Sequence, residues 1–442
     1  MNLTLRTKRI LKKSIIILLL FLYIYNPMIR FFPFDSGVVI SFFILFFFMI
    51  KGMPKLLFFF QNKYVFTFFV SGFLIVLYAI ILALFSGYKY SQFRYPIMYF
   101  RYFFELPIVT IAIVYLLNLF KIDTFDKLVG ILIKISIIQS ICVLIMLLSP
   151  AVRDFVFFDL LKFREGHDKI INIGDFSLRG FGLSGDYLFA FPLFQGICAV
   201  LILIYIKDSF FKYFFIFPLV LLSSIVNARV GITPLVMFIF LTVLINFFSL
   251  KKSKLKQVFR TVFVIFSLLV ILVLIIQKFE LNETFSWVIN GYINVFGGET
   301  IASNASYNIV EKLVGNHLVF PNRVLDYFVG SGLVIFSNPY SFVKSDIGYL
   351  HLLFYGGMIF LTIIITSSNY LIIGVLKYLK KNDFKTKLFF LTIILTLLVV
   401  QIKGNIFNYN PFMKLFFLAV FFIIFRFHIS VKSNFLHKTN RD

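Results

Sequence analysis

The chain is 442 residues long, carries a formal net charge of +24 at pH 7, and is 60% hydrophobic with 65 phenylalanines; its mean hydropathy is +0.97. A soluble domain holds roughly 45–50% apolar residues, so this composition excludes an ordinary soluble globular protein. The positive charge argues for a membrane and not for nucleic acid, because most Lys and Arg fall in short loops between apolar runs.

Apolar runs of about 18 residues or more recur along the whole length and predict an all-α integral membrane protein, a single polytopic domain over 1–442. About 12 transmembrane helices are expected, near 14–29, 34–50, 64–85, 102–120, 128–149, 186–206, 210–226, 231–250, 258–277, 346–376, 388–403 and 411–430. The first run follows the basic flank MNLTLRTKRILKK, and no small-residue cleavage site follows it, so no cleavable signal peptide is expected. With the N-terminus in the cytoplasm, KGMPK, KIDTFDK, KDSFFK, KKSKLKQVFR, KYLKKNDFKTK and the C-terminal tail all fall inside. Together with the N-terminal flank these hold about 25 Lys and Arg against about five acids. Both termini are then cytoplasmic, and the other face is nearly balanced in charge.

Two external loops are long. Residues 150–185 contain PAVRDFVFFDLLKF, whose apolar spacing predicts a helix lying at the interface. Residues 278–345 form a large periplasmic or extracellular loop between helices 9 and 10, of a length that is usually functional. The external GYKYSQFRYPIMYFR (87–101) is aromatic and basic, as headgroup anchoring requires. Cys142 and Cys198 sit mid-run and read as small hydrophobes, not as a disulfide or a metal site. Lys134 and Glu105 fall within expected spans five and four and are expected to pair.

Five groups project to the external face: Arg179 in SLRGFG, Arg229 in SSIVNARVGITP, Arg323 in FPNRVLDYFVGSG, Asp346 in VKSDIGYLHLLFYGG and Lys403 in QIKGNIF. Arginine matches phosphate oxygens with two parallel hydrogen bonds and stays charged, so four cations on one face suit a polyanion such as a lipid-linked pyrophosphate. An arginine at a helix end is equally the mark of a snorkelling interfacial anchor, and Asp346 equally that of an N-cap. His351, on the same expected helix as Asp346, and His317, in the large loop, are held in reserve as proton-transfer groups. No metal-ligand spacing occurs, so no metal or cofactor is expected.

These segments in order resemble the O-antigen ligase and polymerase superfamily, most closely a Wzy-type O-antigen or polysaccharide polymerase. NARVG (227–231) is similar to the family's arginine segment at the start of a span, and RGFGLSGDY (179–187) to the one that precedes a span. NRVLDYFVGSG (322–332) followed by SDIGYLHLLFYGG (345–357) is the most specific match, and QIKGNIF (401–407) resembles the lysine segment near the C-terminus. The likeness covers roughly 170–430.

The resemblance implies a metal-independent glycosyltransferase of the bacterial inner membrane that joins undecaprenyl-pyrophosphate-linked repeat units of O-antigen, capsule or a similar lipopolysaccharide component. Undecaprenyl pyrophosphate is released. In that reading Arg229, Arg323 and Asp346 are catalytic. Arg179, Arg229, Arg323, Lys403 and Tyr349 bind the substrate pyrophosphate. The partners are the lipid-linked donor and acceptor glycans, membrane lipid and a chain-length regulator, with no nucleic acid. The ligase branch carries a histidine where this chain has Ser345 and Asp346, which favours a polymerase. Two alternatives stay open: a ligase moving finished glycan off the carrier, and a multi-span transporter or flippase.

Overall fold

The computed structural model of the chain describes residues 2–85, 93–162, 180–186, 189–205, 210–248, 318–335, 345–379, 383–408 and 410–439. The described residues are mainly helical, and the only β pairing among them is an isolated bridge between Ile29 and Leu161. In chain order the helices are α1 (Asn2–Tyr25), α2 (Ser36–Lys51), α3 (Met53–Phe60), α4 (Lys63–Phe85) and α5 (Arg94–Phe100). A π turn (Arg101–Glu105) continues α5 into α6 (Leu106–Leu119). Then come α7 (Phe125–Leu148) and α8 (Pro150–Asp154), the latter followed by a second π turn (Phe155–Leu160). Next are α9 (Ala190–Tyr205) and α10 (Phe210–Ile225), with a 3-10 turn (Arg229–Ile232) leading into α11 (Thr233–Phe248). The last four are α12 (Val324–Val329), α13 (Gly348–Tyr378), α14 (Phe384–Val400) and α15 (Pro411–Thr439).

Helices stand at eleven of the twelve expected positions. Four are long and apolar enough to cross a membrane: Lys63–Phe85, Arg94–Leu119, Phe125–Leu148 and Gly348–Tyr378. The expected span at 258–277 and most of the 278–345 loop lie outside the described residues.

Polar residues between the apolar runs set the helix starts. Thr124 accepts from the Lys127 amide and Asp383 from that of Thr386. Asn62 accepts from Tyr64 and Asn410 from Met413, the latter with Pro411 in the first helical position. The first helix differs from expectation at both ends, since the basic flank is helical from Asn2. It stops at Tyr25 because Asn26 turns left-handed, with φ 49°, and Pro27 cannot donate onward. The short α3, within the loop that begins KGMPK, was not anticipated. The interfacial segment after α7 is helical as expected, with Val152, Phe155 and Phe158 exposed.

The helices α9 and α15 form the centre. Ala190 to Ile202 of α9 and Pro411 to Phe425 of α15 are buried all round, as sequences apolar on every face require. Around them, α4 leaves Phe73, Leu74 and Leu77 exposed, a surface that suits lipid and not water. Glu105 pairs with Arg101, one turn earlier on the π turn, at 2.8 Å. It does not pair with Lys134, which is exposed on α7. An (i, i+4) pair lies on one face of its own helix and needs no second helix to bring it together.

Loop contacts sort into two ends of the bundle. At one, the Asn62 amide donates to Tyr378, Arg426 to the Ile122 carbonyl, and Tyr115 to the Lys51 carbonyl. At the other, the amide of Gly185 donates to the Tyr25 carbonyl and that of Lys162 to Met28. The second end holds Asp346, and α9, α11, α13 and α15 all start there.

Candidate functional site at the Asp346 end

The start of α13 and the loop 401–407 pack directly on one another. A side chain on Gly348 would come 2.5 Å from the Gly404 carbonyl oxygen and 2.7 Å from the Asn405 nitrogen, so the approach is backbone to backbone. That approach brings Lys403 Nζ within 3.8 Å of an Asp346 carboxylate oxygen, with both side chains at least half exposed. Two further contacts hold the arrangement. The Tyr349 hydroxyl donates to the Leu398 carbonyl at 2.7 Å, tying α13 to α14. Buried His351 lies with Nε2 2.7 Å from the Ser345 carbonyl oxygen; a carbonyl can only accept, so Nε2 carries a proton. Ser345 Oγ accepts from the Ile347 amide. His351 therefore braces the turn that presents Asp346.

Below this turn α13 is broken. Gly357 has φ 69° and ψ −171° inside the helix, a conformation open in practice only to glycine. The break frees the Phe354 and Tyr355 carbonyls, and residues 330–332 fill the gap. The Ser331 and Gly332 amides donate to them at 3.0 and 2.9 Å, and Ser331 Oγ adds a bond to Phe354 at 2.9 Å. Added side chains would reach the Gly330 nitrogen at 2.6 Å from Gly357, and the Gly356 Cα at 2.5 Å from Gly330. The Gly-x-Gly and Gly-Gly pairs are thus two halves of one joint. Arg323 heads α12 immediately before it and is exposed.

A second joint connects the arginine segments. Buried Asn227 donates through Nδ2 to the Gly180 carbonyl at 2.6 Å and to that of Ser223 at 3.2 Å. Ser224 donates to the Pro192 carbonyl at 2.8 Å, and Gly231 packs where a side chain would meet Ser224 at 2.3 Å. This fixes the 3-10 turn that carries half-buried Arg229. Gly182 and Leu183 rest on Gln139 of α7, whose Oε1 accepts from Leu183 at 3.0 Å. The two joints are neighbours: Gly404 packs on Phe189, just before α9, and α9 packs through Pro192 and Gly196 on residues 224–234.

The structure therefore gathers Asp346, Lys403, Tyr349 and His351 at the start of α13, seats the segment led by Arg323 in the break of the same helix, and places Arg229 on the turn that packs on α9. Arg179 and His317 lie outside the described residues, although Gly180, next to Arg179, is held by Asn227. Among the described residues no group of three His, Cys, Asp or Glu is placed to hold a metal ion.

Two residues of this end were not anticipated. Asn227 sits inside the NARVG segment, and its role needs the Gly180 carbonyl, 47 residues away, to be known. Lys414 is 1% exposed; its Nζ donates to the Tyr23 carbonyl at 2.6 Å and lies 4.9 Å from the Tyr23 ring centre. The signal for it is a lone charge in an apolar run, the same one that marks Arg229.

No protein-family model, curated protein or solved structure matches the chain.

Proposed function

We propose that the chain is a membrane glycan polymerase that joins pyrophosphate-linked oligosaccharide repeat units at the non-cytoplasmic face of a bacterial inner membrane. The observation that carries this reading is the engagement of its motif segments. The Gly-x-Gly segment led by Arg323 seats in the break of α13, and the turn bearing Asp346 packs on the loop bearing Lys403. Segments that pack together in this way favour a shared site over a scatter of interfacial anchors. Lys51, Lys121, Lys127, Lys377, Lys385 and Lys387 cluster toward the opposite end. That asymmetry supports cytoplasmic termini, twelve spans and an Asp346 end facing away from the cytoplasm.

In the reaction, the acceptor sugar hydroxyl oxygen forms a bond to the donor's anomeric carbon. The bond from that carbon to the pyrophosphate oxygen breaks, the polyprenyl pyrophosphate leaves with the electron pair, and the hydroxyl proton passes to a base. The demands on the protein are alignment of two sugars and stabilisation of the charge growing on the leaving group. Arg229, Arg323, Arg179 and Lys403 serve the second. Asp346 accepts the proton or orients the acceptor hydroxyl, and Tyr349 and His351 hold it in position from the first turns of α13.

The test is chain length in cells. Arg229→Ala and Arg323→Ala are expected to leave membrane levels of the protein unchanged and to reduce lipid-linked product to single repeat units. Normal polymer length in both variants overturns the pyrophosphate site. Polymer of full length stranded on its carrier indicates a ligase instead.

A further inference from the structure

The depth of residues 329–332 in the bundle can be measured on two neighbouring helices. On α4, the Tyr78 hydroxyl donates to the Val329 carbonyl. Tyr78 lies seven residues before Phe85, the last described residue of α4, after which the sequence turns polar at GYKYSQ; that is roughly 10 Å along the axis. On α13, Gly330 abuts Gly356, which follows the helix start at Gly348 by eight residues, or roughly 12 Å. Both distances sink this non-helical backbone well below the helix ends, inside a hydrocarbon layer about 30 Å thick. Irregular backbone survives there only when protein satisfies its polar groups. Here it does: the carbonyl of Val329 and the amides of Ser331 and Gly332 are all bonded to helices.

The same segment turns large apolar side chains outward. Val324 is 76% exposed and Leu325 70%, with Leu318, Phe320 and Phe328 also exposed. In water such a run is an aggregation hazard. It adjoins, through Tyr78, the exposed stripe of Phe73, Leu74, Leu77 and Ile81 on a helix long and apolar enough to cross a membrane. Its inner side packs through Val319 and Tyr327 against Leu350, Leu353 and Phe354 at the start of α13.

We infer that residues 318–332 form a re-entrant segment embedded in the leaflet at the Asp346 end, with its exposed face against the acyl chains of the surrounding bilayer. The occupant is lipid because the patch continues a lipid-facing stripe and lies at hydrocarbon depth. The inference is independent of the polymerase reading.

The experiment uses the full chain with Cys142 and Cys198 replaced by Ala and single cysteines placed at Leu325 or Phe328. Each is spin-labelled in liposomes of phosphatidylethanolamine and phosphatidylglycerol, and collisions with oxygen and with a water-soluble nickel chelate are compared. Leu77→Cys is the lipid reference and Asn408→Cys the aqueous one. The expected oxygen-to-nickel ratio at both positions matches Leu77→Cys and clearly exceeds Asn408→Cys, because oxygen partitions into hydrocarbon and the nickel chelate does not. Nickel collisions as frequent as at Asn408→Cys overturn the inference. So do low collisions with both reagents, which mean that protein, such as a second copy, covers the face. As a check with the native cysteines kept, Leu325→Trp in a Trp287→Phe background is expected to be quenched by acyl-brominated lipid and not by iodide. Quenching by iodide alone overturns the inference equally.

Discussion

An added Cβ on Gly357 would come 2.6 Å from the Gly330 nitrogen, and one on Gly330 would come 2.5 Å from the Cα of Gly356, the residue before Gly357. The two positions are 27 residues apart in a chain whose fold otherwise rests on apolar helices. Their contact turns a break in a membrane helix into a filled, hydrogen-bonded joint that seats residues 330–332 against α13.

The joint is expected to be intolerant of a single methyl group. Gly357→Ala forces a non-glycine residue to φ 69° and drives Cβ to 2.2 Å from the Phe328 carbonyl oxygen. The expected cost is about 2 kcal/mol or more. Gly130→Ala, in the second turn of α7 with nothing within 4 Å of the new Cβ, is expected to be neutral or stabilising by up to about 1 kcal/mol. Thermal unfolding of the two variants in detergent reads the difference directly, and equal midpoints would show that the break is not a fixed joint.

Lys414 is expected to matter for stability. The last carbonyls of a helix run out of partners within it, and at the end of α1 distant segments supply donors: Tyr23 takes Lys414, and Tyr25 takes the Gly185 amide. Lys414→Met keeps the volume and leaves the Tyr23 carbonyl buried without that bond, at an expected cost of about 1–3 kcal/mol. A lowered unfolding midpoint checks this, and an unchanged midpoint would show that the bond to Tyr23 contributes nothing.

Asn227 links two segments, so its removal should affect activity beyond its effect on folding. Asn227→Ala loses the bonds to Gly180 and Ser223, at about 1–3 kcal/mol for the orphaned carbonyls. Glycan chains are expected to shorten even at a temperature where the variant remains folded. Full-length chains under those conditions would mean that the link to Gly180 does not set the site.

The Asp346–Lys403 pair should behave in the opposite way. Both side chains are half exposed or more and 3.8 Å apart, so the pair contributes within about 1 kcal/mol. Lys403→Gln and Asp346→Asn are therefore expected to leave the unfolding midpoint nearly unchanged while chain length collapses. A fall in midpoint that accounts for the lost activity would assign the pair a structural role only.

At the opposite end, the hydrogen bond from Lys127 to Asp123 lowers the Asp123 pKa below its ordinary value of 3.8. A carboxylate depressed in the folded state stabilises above its unfolded pKa and loses that contribution as pH falls through the folded value. The midpoint difference between the wild type and Asp123→Asn is thus expected to be present at pH 7 and to vanish in acid below 3.8. A difference that persists there would place the effect in packing, not in the charge.

The helical, membrane-embedded character was legible in the sequence, because runs such as residues 64–85 leave no other way to satisfy their backbone. Helix ends were legible where a side chain does the capping, as at Thr124 and Asp383. The residues of the candidate site could be named individually from lone charges and glycine pairs. Tertiary structure alone decided how they combine: that Gly330 fills the break at Gly357, that Asn227 reaches Gly180, that Glu105 prefers Arg101 to Lys134, and that Lys414 completes the end of α1. The physical reason is that apolar periodicity records which residues avoid water, whereas these contacts are hydrogen bonds and backbone approaches between distant segments. Their partners are carbonyl oxygens and missing side chains, and neither is written in the identity of the residue that provides it.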